Sequence, residues 1–237
     1  MKILIPMAGE GSRFVNEGYT FPKPLIDVGG KPMIQKVVEN LDFTSEYIFL
    51  VRKEHLKKYQ GLSDTLERIT NGNHKIVEVD ELTEGAACTA LLAEKYIDND
   101  EDLLIANSDQ YIQYERCNFL YLRELTNVDA IVWTFNAVHP KWSFVKTNSR
   151  GFVTEVAEKR PISNIATCGI YWYRKGSDFV SCAKEMIEKD IRVNNEFYIA
   201  PVYNELLQRG KTLIPFYVHK MWGLGTPEDL KRFLKQG

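Results

Sequence analysis

Three groups of residues in this sequence have types and spacings that could do chemistry on phosphates. The first is Gly9-Glu10-Gly11-Ser12-Arg13, directly after the apolar run Ile3-Leu4-Ile5-Pro6-Met7-Ala8. Glycine permits positive φ and close backbone approach, so the loop from Ala8 to Ser12 can aim several N–H groups at one anion. Arg13 adds a forked cation matched to phosphate oxygens. The second is Lys23, set between Pro22 and Pro24, which both stiffen the backbone. A preorganised lysine loses less entropy on binding than a free one. The third is Asp109, which closes the polar stretch Asn107-Ser108-Asp109 after the apolar run Leu103–Ala106.

Each group has a plainer reading. The glycines can be a tight turn carrying a solvated arginine, and Asp109 can cap the turn that follows it. Magnitudes favour joint action. A helix terminus contributes roughly 0.3–1 kcal/mol to an exposed anion, whereas micromolar binding of a triphosphate needs about 8 kcal/mol. Backbone groups, Arg13 and Lys23 therefore need a metal ligand beside them, and Asp109 is the candidate. A carboxylate at a strand's carboxyl end suits magnesium, which takes one or two protein oxygens and completes its shell with water and phosphate.

The elements that must position these groups follow from hydrophobic pattern. Strands are expected over residues 2–7, 47–51, 75–79 and 103–106, with helices over 32–41, around 54–69 and over 86–96. Short apolar strands separated by helices indicate a mostly parallel sheet covered on both faces. The pattern then changes to strands over 130–138, 144–147, 152–157 and 167–173. Helices follow near 177–189 and 197–208, then a strand over 213–218 and a last helix after Pro227. The fold expected is one α/β domain over residues 1–237, with antiparallel strands added over the sheet's carboxyl edge. No internal repeat, linker or low-complexity segment interrupts it.

Bulk properties narrow the classes. The chain has 237 residues, 44% hydrophobic and 26% charged, with a formal net charge of -2. That length closes a hydrophobic core without staples. The near-neutral charge gives no electrostatic reason to expect nucleic acid or a membrane as partner. Cys88, Cys117, Cys168 and Cys182 are widely spaced and read as reduced packing residues of a cytoplasmic protein. The apolar run at the N-terminus is too short to span a bilayer.

Taken in order, Gly9-x-Gly11-Ser12-Arg13-Phe14, Phe21-Pro22-Lys23-Pro24-Leu25 and Gly30-Lys31-Pro32-Met33-Ile34 resemble the signature of the sugar-phosphate nucleotidyltransferases. That resemblance implies a Rossmann-like three-layer α/β/α fold with a mixed sheet and inserted antiparallel strands that form an acceptor pocket. It implies transfer of a nucleoside monophosphate from a triphosphate to a small phosphorylated acceptor, with Mg2+ and release of pyrophosphate. Surface-polysaccharide precursor synthesis is the implied setting, since capsule-type cytidylyltransferases resemble the chain in general layout.

Carried over residue by residue, Arg13, Lys23 and Asp109 are the catalytic set, with Asp109 on the metal. Ala8, Gly9, Gly11, Ser12 and Ser108 join them around the nucleotide. The Glu158-Lys159 pair resembles a Glu-Lys-Pro element whose lysine holds the acceptor phosphate, although Arg160 precedes Pro161 here. Gly169 and Glu196 are further acceptor residues by resemblance. By resemblance, base recognition is expected around Thr83-Glu84-Gly85-Ala86-Ala87, with Gly85 and Ala86 approaching the base and Asp80 and Glu81 nearby. A carboxylate accepts from a cytosine amine and cannot donate to a uracil carbonyl, which favours CTP.

One departure stands out. The family commonly has a second magnesium aspartate where this chain has Gly223, in Gly223-Leu224-Gly225-Thr226-Pro227. That departure leaves room for a regulatory protein that binds nucleotide without turnover. A glycosyltransferase of related fold is a third reading, for which Asn107-Ser108-Asp109 is a poor metal motif. Oligomeric state, a homo-oligomer included, is open from sequence.

Overall fold

A computed structural model describes residues 1–237. Its main sheet has nine strands, seven of them in the order β10-β6-β9-β4-β1-β2-β3. The parallel half is β1 (Lys2–Pro6), β2 (Glu46–Arg52), β3 (His74–Val79) and β4 (Leu103–Ala106). Their carboxyl ends therefore share one edge, where open α/β sheets place their ligand crevice. Helices α1 (Ser12–Asn16), α2 (Met33–Leu41), α3 (Lys53–Lys58), α4 (Gly61–Thr70), α5 (Ala86–Leu91) and α6 (Glu94–Ile97) connect these strands.

Strand β5 (Gln110–Gln113) follows Asp109 directly, and α7 (Arg116–Glu124) leads to the second half. There β9 (Ile165–Tyr173) lies antiparallel between β4 and β6 (Ala130–Asn136). The pair β7 (Ser143–Thr147) and β8 (Val153–Glu158) hangs from it through Phe144 opposite Ala166. Helices α8 (Gly176–Glu188) and α9 (Val202–Gln208) precede β10 (Leu213–Tyr217), which runs parallel to β6. Strand β11 (Lys220–Gly223) pairs with β5 as a separate ribbon, and α10 (Pro227–Gln236) ends the chain. This is the mixed α/β architecture expected.

Strand periodicity divides the core. Leu4 packs on one face of the sheet with α5, α8 and α9, while Ile3 and Ile5 pack on the other with α2 and α4. A third, smaller cluster joins Phe14, Ile26, Val28 and Met33 to Trp222, Leu224, Leu230 and Phe233. It ties the glycine loop, the Pro-Lys-Pro segment and the C-terminal helix together beneath the strand ends. Thr226 caps that helix by accepting from the backbone N–H of Asp229 at 3.1 Å, with Pro227 at the first position.

Three expected helices differ in extent. The stretch around 54–69 is two helices, because Tyr59 leaves the helical conformation and donates from its hydroxyl to the Thr20 carbonyl at 2.8 Å. The stretch 86–96 breaks at Leu92-Ala93. The stretch 197–208 is helical only from Val202, because the backbone of Phe197 is engaged elsewhere, as described below. No helix is long and apolar enough to cross a membrane.

Candidate active site

At the shared strand edge a cavity of about 580 Å³ is lined by Ala8, Gly9, Gly11, Ser12, Arg13, Lys23, Gly85, Ala86, Ser108, Asp109 and Glu196, among others. Residues separated by almost 190 positions in sequence thus face one space. Asp80, Lys159 and Gly169, the remaining candidates, do not line it.

The loop after β1 turns at Gly11, whose φ of 65° is left-handed. A Cβ there would also meet the Lys23 Cβ at 3.3 Å. Glycine is thus required twice over, and its absence of side chain lets Lys23 close onto the loop. Lys23 opens a short 3-10 turn, Lys23–Leu25, with Pro24 buried. Its Nζ donates to Asp109 Oδ2 at 2.5 Å, and both side chains are about three-quarters buried, 22% and 24% exposed. Gly225 covers the pair from the other side: a Cβ there would lie 2.5 Å from Asp109 Oδ2 and 3.8 Å from Lys23 Nζ. Arg13 is exposed at the cavity mouth and makes no ion pair.

The opposite wall is the turn after β3. Gly85 has a φ of 131°, and a Cβ there would sit 2.5 Å from both the N and the O of Phe197. In that space the backbone is laced instead: Phe197 N donates to Glu84 O at 2.8 Å and Ala87 N to Phe197 O at 3.0 Å. Thr83 and Thr89 share a hydroxyl contact at 2.6 Å that braces the turn. Arg192 closes the lacing outside, paired with Glu84 at 2.6 Å and lying over the Phe197 ring at 4.1 Å.

Glu196 reaches the cavity from a tight hairpin turn. Val193 and Glu196 exchange backbone hydrogen bonds at 3.0 Å, and Asn194 and Asn195 between them have φ of 49° and 64°. Two positive φ values in a two-residue loop are what asparagine tolerates best after glycine. Two residues on, Tyr198 also lines the cavity. Its hydroxyl accepts from Lys159 Nζ, which also lies 4.5 Å from the ring centre. Lys159 itself follows β8 in a left-handed conformation, φ 53°, uncommon for a residue with a Cβ. Burial raises the Tyr198 pKa, the contact and charge of Lys159 lower it, and the neighbouring Glu196 raises it.

The outlying candidates divide. Gly169, φ 77°, packs on Asn107: a Cβ there would reach the Asn107 Cγ at 2.8 Å, and its carbonyl accepts from Asn107 N at 2.9 Å. Asn107 lines the cavity, and Gly169 packs behind it without reaching the cavity itself. Asp80 stands apart, 70% exposed and paired with Lys53 at 2.8 Å. At Gly223 the place of a side chain is taken by its neighbours: a Cβ would meet the Trp142 ring at 3.2 Å and Asp229 Oδ2 at 3.6 Å. That Asp229 carboxylate is held by Lys141 at 3.1 Å.

Sequence reasoning missed Tyr198, Asn107, Thr89 and Gly225, which also line the cavity. Asn107 was signalled by its place beside Asp109 after an apolar strand. Tyr198 carried no local signal, because its partner lies 39 positions away.

Comparison with known proteins gives the family. A family model described as nucleotidyl transferase matches residues 2–235. Among curated relatives, the bifunctional protein GlmU of Methanococcus aeolicus is 26% identical over 179 residues, covering 72% of this chain and 39% of that protein. The low-salt glycan biosynthesis nucleotidyltransferase Agl11 of Haloferax volcanii is 24% identical, covering 97% of this chain and 64% of its own length. The chain thus spans about two fifths of the former and under two thirds of the latter. A nucleoside-diphosphate-sugar pyrophosphorylase from Vibrio cholerae superposes with a TM-score of 0.82 at 25% identity, covering 99% of this chain and 100% of that one. A UDP-glucose pyrophosphorylase complexed with UDP-glucose shares the fold, with a TM-score of 0.78 at 20% identity over 99% of this chain and 97% of that one. With a family model matched over nearly its full length, the chain belongs to the nucleotidyl transferase family, and sugar-phosphate nucleotidyltransferases are among its relatives.

Proposed function

We propose that this protein transfers a nucleoside monophosphate from a nucleoside triphosphate to a sugar phosphate or similar small phosphorylated metabolite, releasing pyrophosphate, in the supply of surface-glycan precursors. The observation that carries this reading is the convergence of the Gly9–Arg13 loop, Lys23 and Asp109 with Glu196 and Tyr198 on one cavity. The first group suits a triphosphate and the second a separate acceptor.

In the proposed step an acceptor phosphate oxygen attacks the α-phosphorus, and the bond to the bridging oxygen breaks with its electron pair leaving on pyrophosphate. The attacking oxygen is already anionic at neutral pH, so no general base is required. None of His55, His74, His139 or His219 lines the cavity, in keeping with that. Loop N–H groups and Arg13 hold the leaving pyrophosphate, and Lys23 stabilises charge that grows at the α-phosphate. Such fixed charges act through positioning and electrostatics.

The donor set limits what the protein itself can offer a metal. No group of three or more His, Cys, Asp or Glu side chains converges anywhere in the chain. Asp109 offers a single carboxylate beside the phosphate loop, which fits Mg2+ held jointly with substrate phosphates and water. Asp109 would hold it there, and it would supply neutralisation of phosphate charge. The CTP preference rests on Asp80, and reading a cytosine amine from that position requires its pair with Lys53 to open.

Pyrophosphate release, measured with each of the common triphosphates against a panel of phosphorylated acceptors with Mg2+, tests the reading. Turnover with one pair is expected, and Asp109→Asn should reduce it by about a hundredfold or more. Near-wild-type turnover in Asp109→Asn would remove the metal assignment. A second reading, nucleotide sensing without chemistry, is favoured by Gly223 alone. Tight triphosphate binding with no turnover on any acceptor would select it.

A further inference from the structure

Strand β5 starts directly after Asp109 and lies off the main sheet, paired only with β11. Its two edges are satisfied in different ways. Toward β11, the Asp109 carbonyl accepts from Leu224 N at 2.7 Å and the Gln113 carbonyl from His219 N at 2.8 Å. The buried Ile112 turns its N–H and C=O the other way, where no strand runs. There Asn40, in the last turn of α2, stands in for a strand. Its Nδ2 donates to Ile112 O at 2.8 Å and its Oδ1 accepts from Ile112 N at 2.8 Å. One planar amide thus exchanges both bonds with one residue, as a facing peptide does in an antiparallel pair.

The other end of the same helix meets the lysine. Met33 N, at the start of α2, donates to Ile26 O at 2.8 Å, and Ile26 directly follows the Lys23–Leu25 turn. Ile26 and Met33 also share the third core cluster. A helix of nine residues, about 13 Å long, therefore runs from the turn that carries Lys23 to the ribbon that carries Asp109. Lys23 and Asp109 are 86 positions apart in sequence, and α2 packs against both of their segments.

We infer that Asn40 is a positioning residue: by pinning Ile112 to α2 it sets the Asp109 carboxylate in place against Lys23 and the phosphate loop. Asn40 does not line the cavity, so it acts only through the ribbon. Its effect on turnover rests on the transfer reading above; its effect on the Asp109 backbone does not. Fixed charges act on a reacting phosphate only at the right distance, so a loosened ribbon costs rate before it costs binding.

Asn40→Ala cuts both bonds, while the Tyr114 hydroxyl, which donates to Leu41 O at 2.6 Å, keeps the helix end docked. Amide hydrogen exchange in the ligand-free full chain reads the backbone consequence. Exchange at Ile112 N should quicken by about tenfold or more. Exchange at Leu224 N, which is bonded to the Asp109 carbonyl, should quicken several-fold, with the amides of β1 unchanged. Faster exchange at Ile112 with none at Leu224 would show that the clamp does not reach Asp109, and overturns the role.

Turnover reads the catalytic consequence through a double-mutant cycle. Asn40→Ala should lower kcat by about tenfold while KM for the triphosphate moves little, since the loop N–H groups and Arg13 are untouched. In an Asp109→Asn background the same change should lower kcat by less than about twofold. Tyr114→Phe loosens the same helix end without touching Ile112, and should leave kcat near wild type. Equal losses in the two backgrounds, or a loss in Tyr114→Phe as large as in Asn40→Ala, would make Asn40 a residue of general stability and overturn its positioning role. Absence of turnover in the wild-type chain with every substrate pair is instead the failure of the transfer reading, and exchange at Leu224 then decides on Asn40 alone.

Discussion

Lys23 Nζ lies 2.5 Å from Asp109 Oδ2, so the cation assigned to the phosphates and the carboxylate assigned to the metal satisfy each other in the ligand-free chain. A divalent ion and an ammonium cannot both claim that oxygen. Mn2+ binding without nucleotide, followed by its paramagnetic resonance signal, should therefore tighten several-fold in Lys23→Ala. Turnover should fall by a hundredfold or more in the same variant. Unchanged Mn2+ affinity in Lys23→Ala would mean that Asp109 is not the metal ligand or that the pair opens freely.

The close approach of Gly85 to the Phe197 backbone makes Gly85→Ala a test of the lacing. A Cβ at 2.5 Å from two backbone atoms, on a backbone of positive φ, forces the two segments apart. The expected loss is about 2–4 kcal/mol, which lowers Tm by several degrees in a domain of this size. Because the same segment carries Glu196 and Tyr198, affinity for both nucleotide and phosphate should drop together. Loss of nucleotide affinity alone would show that the two walls are independent.

Glu158 gives a pH dependence with a defined sign. Burial raises its pKa above the ordinary 4.5, and the bonded Ser143 hydroxyl and the charge of Lys159 offset this only in part, while Glu196 adds to it. A carboxyl with a raised pKa binds more protons folded than unfolded, so its ionisation costs stability as pH climbs above about 4.5. Tyr171, itself buried, lies near enough for that negative charge to raise its own pKa. Glu158→Gln keeps an acceptor for Ser143 and removes the charge. Its Tm relative to wild type should rise between pH 4.5 and neutrality; a flat difference over that range would contradict the assignment.

Gly223 can be asked whether it tolerates the aspartate it lacks. The Trp142 ring stands 3.2 Å from the Cβ position, so Gly223→Asp by itself should cost about 1–3 kcal/mol through overpacking. Removing the ring in Gly223→Asp with Trp142→Ala should make the two changes non-additive. The new carboxylate would also sit beside Gln110, the cross-strand partner of Gly223, whose buried amide has no hydrogen-bond partner. Urea midpoints of the two single variants and the double variant check this, and strict additivity would show that Trp142 does not occupy the place.

The parallel half of the sheet was legible because its information is local. Leu103–Ala106 is uniformly apolar since both faces of β4 are covered, and the polar residues after it mark where the strand leaves the core. Gly11, Ser12, Arg13 and Lys23 were likewise visible from residue type within a short window, as was the place of Asp109 at a strand end. Strands β5 and β11 were not expected, because a four-residue ribbon becomes a strand only when its partner arrives from 107 to 113 positions away.

The sequence by itself determined the strand order's raw material, the glycine loop, the constrained lysine and the acid, since periodicity, steric permission and charge are properties of neighbouring residues. Only the tertiary structure decided that Gly85 must be bare because Phe197 passes against it, that Trp142 fills the room left at Gly223, that Asp80 faces Lys53 rather than the cavity, and that Tyr198 meets Lys159. Each of those contacts is fixed by how the sheet, its inserted strands and the C-terminal helix pack. No local pattern encodes the meeting of two segments that the chain brings together only after it has buried its core.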